Sequence, residues 1–187
     1  IDFSGERLMV VDVGGGSTEV VMGTGGAEPL CAHSFNVGCR RVTEKFLASD
    51  PPAPEELARA RAWIHEKMAS WFAEQSKEAA DLERVVAVAG TATTVVSIRD
   101  RMETYDSSRV HKARVSRQEL LEVYERLAAL PLSARKKVVG LDPKRAPVMV
   151  AGLLILLEVL AFAGIDASTV SATDILHGIT LAVSHDA

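Results

Sequence analysis

The chain reads as an α/β protein, and three observations carry that reading. Residues 8–13 form a nearly unbroken apolar run, as expected of a central strand buried on both faces. Two further strand-like segments, 17–22 and 28–35, follow at hairpin distances, joined by Gly14, Gly15 and Gly16 and by the turn-forming stretch 23–26. After residue 37 the apolar spacing becomes helical, interrupted by short strands at 85–89, 110–115 and 168–172. A three-strand meander thus precedes strands alternating with helices.

The remaining elements follow in order. A short helix is expected over 37–48, ended by Ser49-Asp50-Pro51-Pro52. Pro54 at a first helical position, with Glu55 and Glu56 in the first turn, starts a longer helix. Its buried face is marked by Leu57, Ala60, Ile64, Met68, Trp71 and Phe72, and both tryptophans read as core residues. Strand 85–89 meets Gly90 and then a helix over 91–101. Ser116 with Glu119 forms a capping box for a helix to residue 130, and Ser133 caps a short helix that Gly140 ends. A long apolar helix over 143–163 and a closing helix over 174–183 complete a single domain, with the block 116–140 set to one side as an insertion.

Composition narrows the function classes. The chain has 187 residues and a formal net charge of -4, so no overall basic field attracts DNA or an anionic membrane. Residues 148–165 have the apolar length of a short membrane span, but a central Glu158 would cost about 2.5 kcal/mol or more there, and a helix inside an α/β domain is the better reading. Cys31 and Cys39 show no metal-type spacing, and the five histidines form no paired ligand motif, which fits a reducing cytoplasm. A start at Ile1, a few residues before an apolar strand, reads as a piece of a longer protein.

The stretch VVDVGGGSTEVV, residues 10–21, concentrates the chemistry. Holding a phosphate at a hairpin needs backbone N–H groups turned toward it with no Cβ in the way, and glycine meets both conditions, the first by tolerating positive φ. Gly14, Gly15 and Gly16 are placed for that role, and Ser17 and Thr18 add hydroxyl donors. Asp12 ends an apolar strand, where a carboxylate needs compensation. Magnesium, held by Asp12 and Glu19 together with phosphate oxygens, is the natural candidate. Glycines alone suit an ordinary tight turn equally well, with Asp12 accepting turn N–H bonds, but the combined motif is far more specific. The dinucleotide-binding alternative fails because a strand, not a helix, follows the glycines. A second site, VAVAGTATTVV at 86–96, puts Gly90 and Thr91 at a helix N-terminus. By itself this looks like any strand-to-helix turn; its weight comes from being the second such loop. Of the basic clusters (Arg40-Arg41, 109–114, 135–137, Lys144-Arg145), most read as solvated faces, and Arg145 stands out because it precedes the long apolar helix.

VVDVGGGSTEVV, VAVAGTATT and GLDPKRAPVMVAGLLIL, in this order, resemble the second half of the exopolyphosphatase and guanosine pentaphosphate phosphohydrolase (Ppx/GppA) family. The resemblance implies a ribonuclease H-like fold of the actin and sugar kinase type, a mixed sheet flanked by helices, of which this chain is the second lobe. It implies hydrolysis of a terminal phosphoanhydride in polyphosphate or a guanosine polyphosphate. Asp12 and Glu19 then lie near Mg2+ and the attacking water, the glycines, Ser17 and Thr18 contact the phosphoryl group, and Gly90 and Thr91 match a loop near the nucleoside of nucleotide-binding relatives. The expected partners are the substrate, an absent first lobe that carries the catalytic base, and a second copy in a homodimer. Without that lobe the piece is expected to turn over little. SATDILHGI, from residue 171, stands where many relatives carry an arginine. An end at the closing helix points to the short, two-lobe form. A regulatory module that binds but does not hydrolyse, and a kinase-type lobe, are the competing classes.

Overall fold

The computed structural model describes residues 3–173. In chain order the elements are β1 (Arg7–Val13), β2 (Thr18–Thr24), β3 (Pro29–Phe35), α1 (Cys39–Phe46), α2 (Pro54–Glu74), α3 (Ser76–Ala80), β4 (Arg84–Val88), α4 (Ala89–Arg99), α5 (Ser107–Val110), β5 (Arg114–Ser116), α6 (Arg117–Ala128), α7 (Leu132–Arg135), α8 (Met149–Ala163) and β6 (Ala167–Val170). The strands form one mixed sheet in the order β3-β2-β1-β4-β6-β5. β1, β2 and β3 are the expected antiparallel meander, β1, β4 and β6 run parallel, and β5 closes the far edge antiparallel to β6.

Alternation along the strands makes one face of the sheet apolar. Met9, Val11 and Val13 of β1 continue into Val20 and Met22 of β2, Phe35 of β3, Val85 and Ala87 of β4 and Val170 of β6, all buried in one cluster. α8 is the centre of that cluster. Residues 149–160 are buried on every side, so its uniformly apolar sequence reflects helices around it (α1, α2 and α6) rather than lipid. Among the described residues no helix is long and apolar enough to cross a membrane. Glu158 on α8 is 3% exposed, with its carboxylate on Arg61 Nε (2.5 Å) and His65 Nδ1 (3.2 Å) of α2.

Three expected elements are corrected. The strand placed at 110–115 starts only at Arg114: Asp106 accepts the N–H groups of Ser108 and Arg109 and nucleates α5, so Val110 closes a helical turn. A local side-chain cap overrides the β preference of the valine. The short helix expected from Ser133 begins at Leu132, whose N–H is held by Asp50 Oδ1 at 2.7 Å, a cap supplied from 82 residues away. The long helix expected from 143 begins at Met149. Pro147 disfavours a helical Ala146, and the stretch before α8 is a series of turns. The expected closing helix over 174–183 lies outside the described residues. α6, in the block read as an insertion, packs on α8 and α4.

Candidate phosphate-binding site

The parallel register of β1 and β4 pairs Asp12 with Val88, so both glycine loops leave the sheet at its carboxyl edge from adjacent strands. This edge is where ligands bind in open α/β sheets. The two loops are tied together by Thr91 Oγ1, which donates to the Val13 carbonyl at 3.1 Å.

The first loop is an unusual two-residue hairpin. Gly14 N–H donates to the Ser17 carbonyl at 2.9 Å, but the reciprocal bond is absent because the Gly14 carbonyl accepts from Cys39 N–H at 2.9 Å. The Gly15 carbonyl accepts from Arg40 and Arg41 N–H (2.9 and 3.3 Å), and the Gly16 carbonyl from Arg41 Nε (3.1 Å). The first turn of α1 thus takes up the carbonyl side of the loop. The N–H groups of Gly15, Gly16 and Ser17 donate to no partner among the described residues. Three consecutive donors without protein acceptors at a half-exposed loop are available to an anion.

The reason for glycine differs from the expected one. None of Gly14, Gly15 and Gly16 has a positive φ. Close approach demands glycine at the residue that packs on them instead. Gly38, at the N-cap of α1, lies so near Gly15 and Gly16 that a Cβ on it would overlap their backbone, whereas a Cβ on Gly16 would meet nothing within 4 Å. The face of Gly16 that is open is the one a ligand can approach.

Asp12 and Glu19 are direct cross-strand partners, so their side chains lie on the same face, with Cβ atoms about 5 Å apart. Ser34 of β3 is next in the row and its Oγ donates to Glu19 Oε1 at 2.7 Å, which fixes that carboxylate. Thr18 and Thr91 are placed otherwise than expected. Thr18 is fully buried, its hydroxyl donating to the Val37 carbonyl at 2.6 Å, and Thr91 is 5% exposed with its hydroxyl on Val13. Both side chains join elements behind the site and offer no hydroxyl to a ligand, while Ser17 remains half-exposed at the loop.

Gly90 and Arg145, 55 positions apart, meet in a cleft of about 530 Å³ whose lining also includes Thr93, Thr94, Tyr105 and Asp142. A Cβ at Gly90 would overlap the Arg145 guanidinium, so only glycine lets that side chain lie flat on the start of α4. Among the described residues the guanidinium has no hydrogen bond or ion pair. Cys39 senses this electropositive corner, but burial dominates and pushes its thiol pKa up despite Arg145 and Arg40, so it is a structural thiol.

The sequence model of the Ppx/GppA phosphatase family matches residues 1–186. The chain belongs to that family. Exopolyphosphatase 2 of Mycobacterium tuberculosis is 37% identical over 188 residues, covering 97% of this chain and 57% of its own length. The bifunctional 3-dehydroquinate synthase/phosphatase of Fusobacterium nucleatum is 35% identical over 185 residues, 94% of this chain and 26% of that protein. The crystal structure of the Aquifex aeolicus Ppx/GppA family member superposes with a TM-score of 0.86 at 28% identity, over 96% of this chain and 56% of that one. The chain therefore spans little more than half of the Ppx/GppA exopolyphosphatase it matches, and its mixed sheet flanked by helices is the architecture of the Ppx/GppA structures.

Two cations missed by sequence reasoning border the glycine loop. Arg41, Lys45 and Lys67 line a pocket of about 370 Å³ with His33, Asn36 and Trp63, and Lys45 Nζ sits 4.5 Å from the Trp63 ring centroid. Trp63 thus serves as a platform for a lysine rather than as core alone. Lys45 and Lys67 stand on different helices and form no run in the sequence; a signal existed only in the helical phase that puts Trp63 and Lys67 four apart on α2. For magnesium, the described residues hold no cluster of three or more His, Cys, Asp or Glu. The two carboxylates of Asp12 and Glu19 beside unbonded amides fit an ion that completes its shell with water and phosphate oxygens.

Proposed function

We propose that this chain forms one half of the active site of an exopolyphosphatase-type phosphohydrolase that removes the terminal phosphate of inorganic polyphosphate with the help of Mg2+. The observation that carries the reading is the run of three unbonded amides at Gly15, Gly16 and Ser17, next to the Asp12–Glu19 pair. In this reading the amides receive the oxygens of the terminal phosphoryl group, preorganised because α1 holds the other side of the loop. Asp12 and Glu19 hold the ion, with Ser34 keeping Glu19 in place. Magnesium, when bound, neutralises charge on the phosphoryl oxygens. Arg145 supplies further positive charge from the second loop, and Arg41, Lys45 and Lys67 receive phosphates farther along the chain. The base that activates water belongs to the half of the longer protein that lies outside this chain.

Phosphate release from polyphosphate and from guanosine pentaphosphate, measured side by side with the intact protein and Mg2+, tests this. Release from polyphosphate that stops with EDTA, and that falls at least about 100-fold in Glu19→Ala with an unchanged circular dichroism spectrum, is the expected result. Wild-type rates in Glu19→Ala remove that residue from the reaction. Faster release from the guanosine compound reassigns the substrate, and binding without release makes the protein a regulatory module.

A further inference from the structure

Arg145 reaches the cleft from residues 142–148, a series of turns held internally by Arg145 and Ala146 N–H on the Asp142 carbonyl (2.9 and 3.2 Å) and Val148 N–H on the Arg145 carbonyl (3.0 Å). Ala146 is buried in the core, and the peptide that follows Arg145 is thereby drawn inward. From outside, the main chain of these turns is held by Gly152 N–H on the Val148 carbonyl (3.1 Å), where the chain enters α8, and by Arg135, whose Nη1 donates to the Ala146 carbonyl at 3.3 Å, one peptide from Arg145.

Arg135 is an odd residue in its own right. It is 4% exposed and hydrogen-bonds to no carboxylate. Its Nε and Nη2 donate to the Leu127 and Leu130 carbonyls (3.0 and 2.8 Å) at the carboxyl end of α6, where carbonyls run short of helical donors. Burying a guanidinium is costly. What the guanidinium alone provides is a rigid planar fork with donors in three directions. Two prongs anchor it to α6 and the third is aimed at the turn that bears Arg145.

We infer that Arg135 is a positioning residue: it fixes the 142–148 turn to α6 so that the Arg145 guanidinium rests on Gly90, ready for an anionic substrate. Arg135 itself does not touch substrate. The inference rests on the function proposed above and extends it to a residue outside the cleft.

A double-mutant cycle in the intact protein tests it, with kcat and KM for phosphate release from polyphosphate as the readout. Arg135→Lys keeps the charge but loses the planar fork. The expected result is a fall of about tenfold in kcat/KM, a cost in the range measured for a displaced binding group, in the Arg145 background. In the Arg145→Ala background the same change is expected to cost less than about twofold, because there is no guanidinium left to aim. A purely structural arginine would cost the same in both backgrounds, and that outcome overturns the inference, as does an unaltered kcat/KM in Arg135→Lys. Should Arg135→Lys lose its near-ultraviolet circular dichroism, Arg135→Gln is taken through the same cycle at a temperature where the spectrum is native. Glu19→Ala in the same assay separates the two levels: loss with Glu19→Ala but none with Arg145→Ala overturns the positioning role alone, whereas no loss with either overturns the proposed function.

Discussion

At the scale of single residues, two glycines of the same site behave oppositely because the space around them differs. Gly16→Ala puts a methyl where nothing lies within 4 Å, on a backbone without positive φ. The fold is expected to keep its melting temperature while phosphate competes less well in binding, read by isothermal titration with inorganic phosphate and Mg2+. Gly38→Ala drives a methyl into the backbone of Gly15 and Gly16, and overpacking of this kind costs about 1–3 kcal/mol, read as a lowered midpoint of urea unfolding. The sequence made the importance of residues 14–16 legible, since an acid, three glycines and Ser-Thr-Glu between two strands is a rare combination. It predicted positive φ there, which the loop does not use, and gave no sign of the close approach of Gly38, which is remote in the chain.

At the scale of elements, the sequence showed some local caps, missed the Asp106 cap of α5, and held no sign of caps that come from elsewhere in the fold. The Ser116–Glu119 capping box is present, with Ser116 Oγ accepting from Glu119 N–H (3.1 Å) and Glu119 Oε2 accepting from Ser116 N–H (2.7 Å). Ser116→Ala is expected to lower stability by about 1 kcal/mol in chemical denaturation. The main-chain N–H and hydroxyl of Ser116 hold the Glu119 carboxyl below its ordinary range, and the Ala53 N–H does the same, foremost, for Glu56 at the start of α2. Both carboxyls bind protons less readily folded than unfolded. Their stabilisation is complete above about pH 4.3, the ordinary glutamate value, and is lost as pH falls through the depressed values. Glu119→Gln should therefore flatten the acid limb of a stability–pH curve by lowering the neutral plateau toward the acid value. By contrast, the start of α7 is held by Asp50, which no window of neighbouring residues contains.

At the scale of the molecule, the site forms where two parallel strands end together, and the pairing of β1 with β4 across some seventy residues brings that about. The sequence put both glycine loops on one sheet and singled out Arg145, but it held no strand order, and the pairing that sets the loops side by side came from the structure. The Lys45–Lys67 pocket was not, because it arises from the packing of α1 against α2. Lys67→Ala in the intact protein is expected to raise KM for long polyphosphate several-fold and to reduce its salt dependence, with tripolyphosphate affected less, as steady-state kinetics at two ionic strengths would read. The hydrogen bond from Cys39 to Gly14 reaches further. A hairpin cut free of α1 is able to close its second bond, Ser17 N–H to the Gly14 carbonyl, and then offers two open amides instead of three. The proposed seat is thus a turn held unfinished by a neighbouring helix, and it weakens with anything that pulls that helix away.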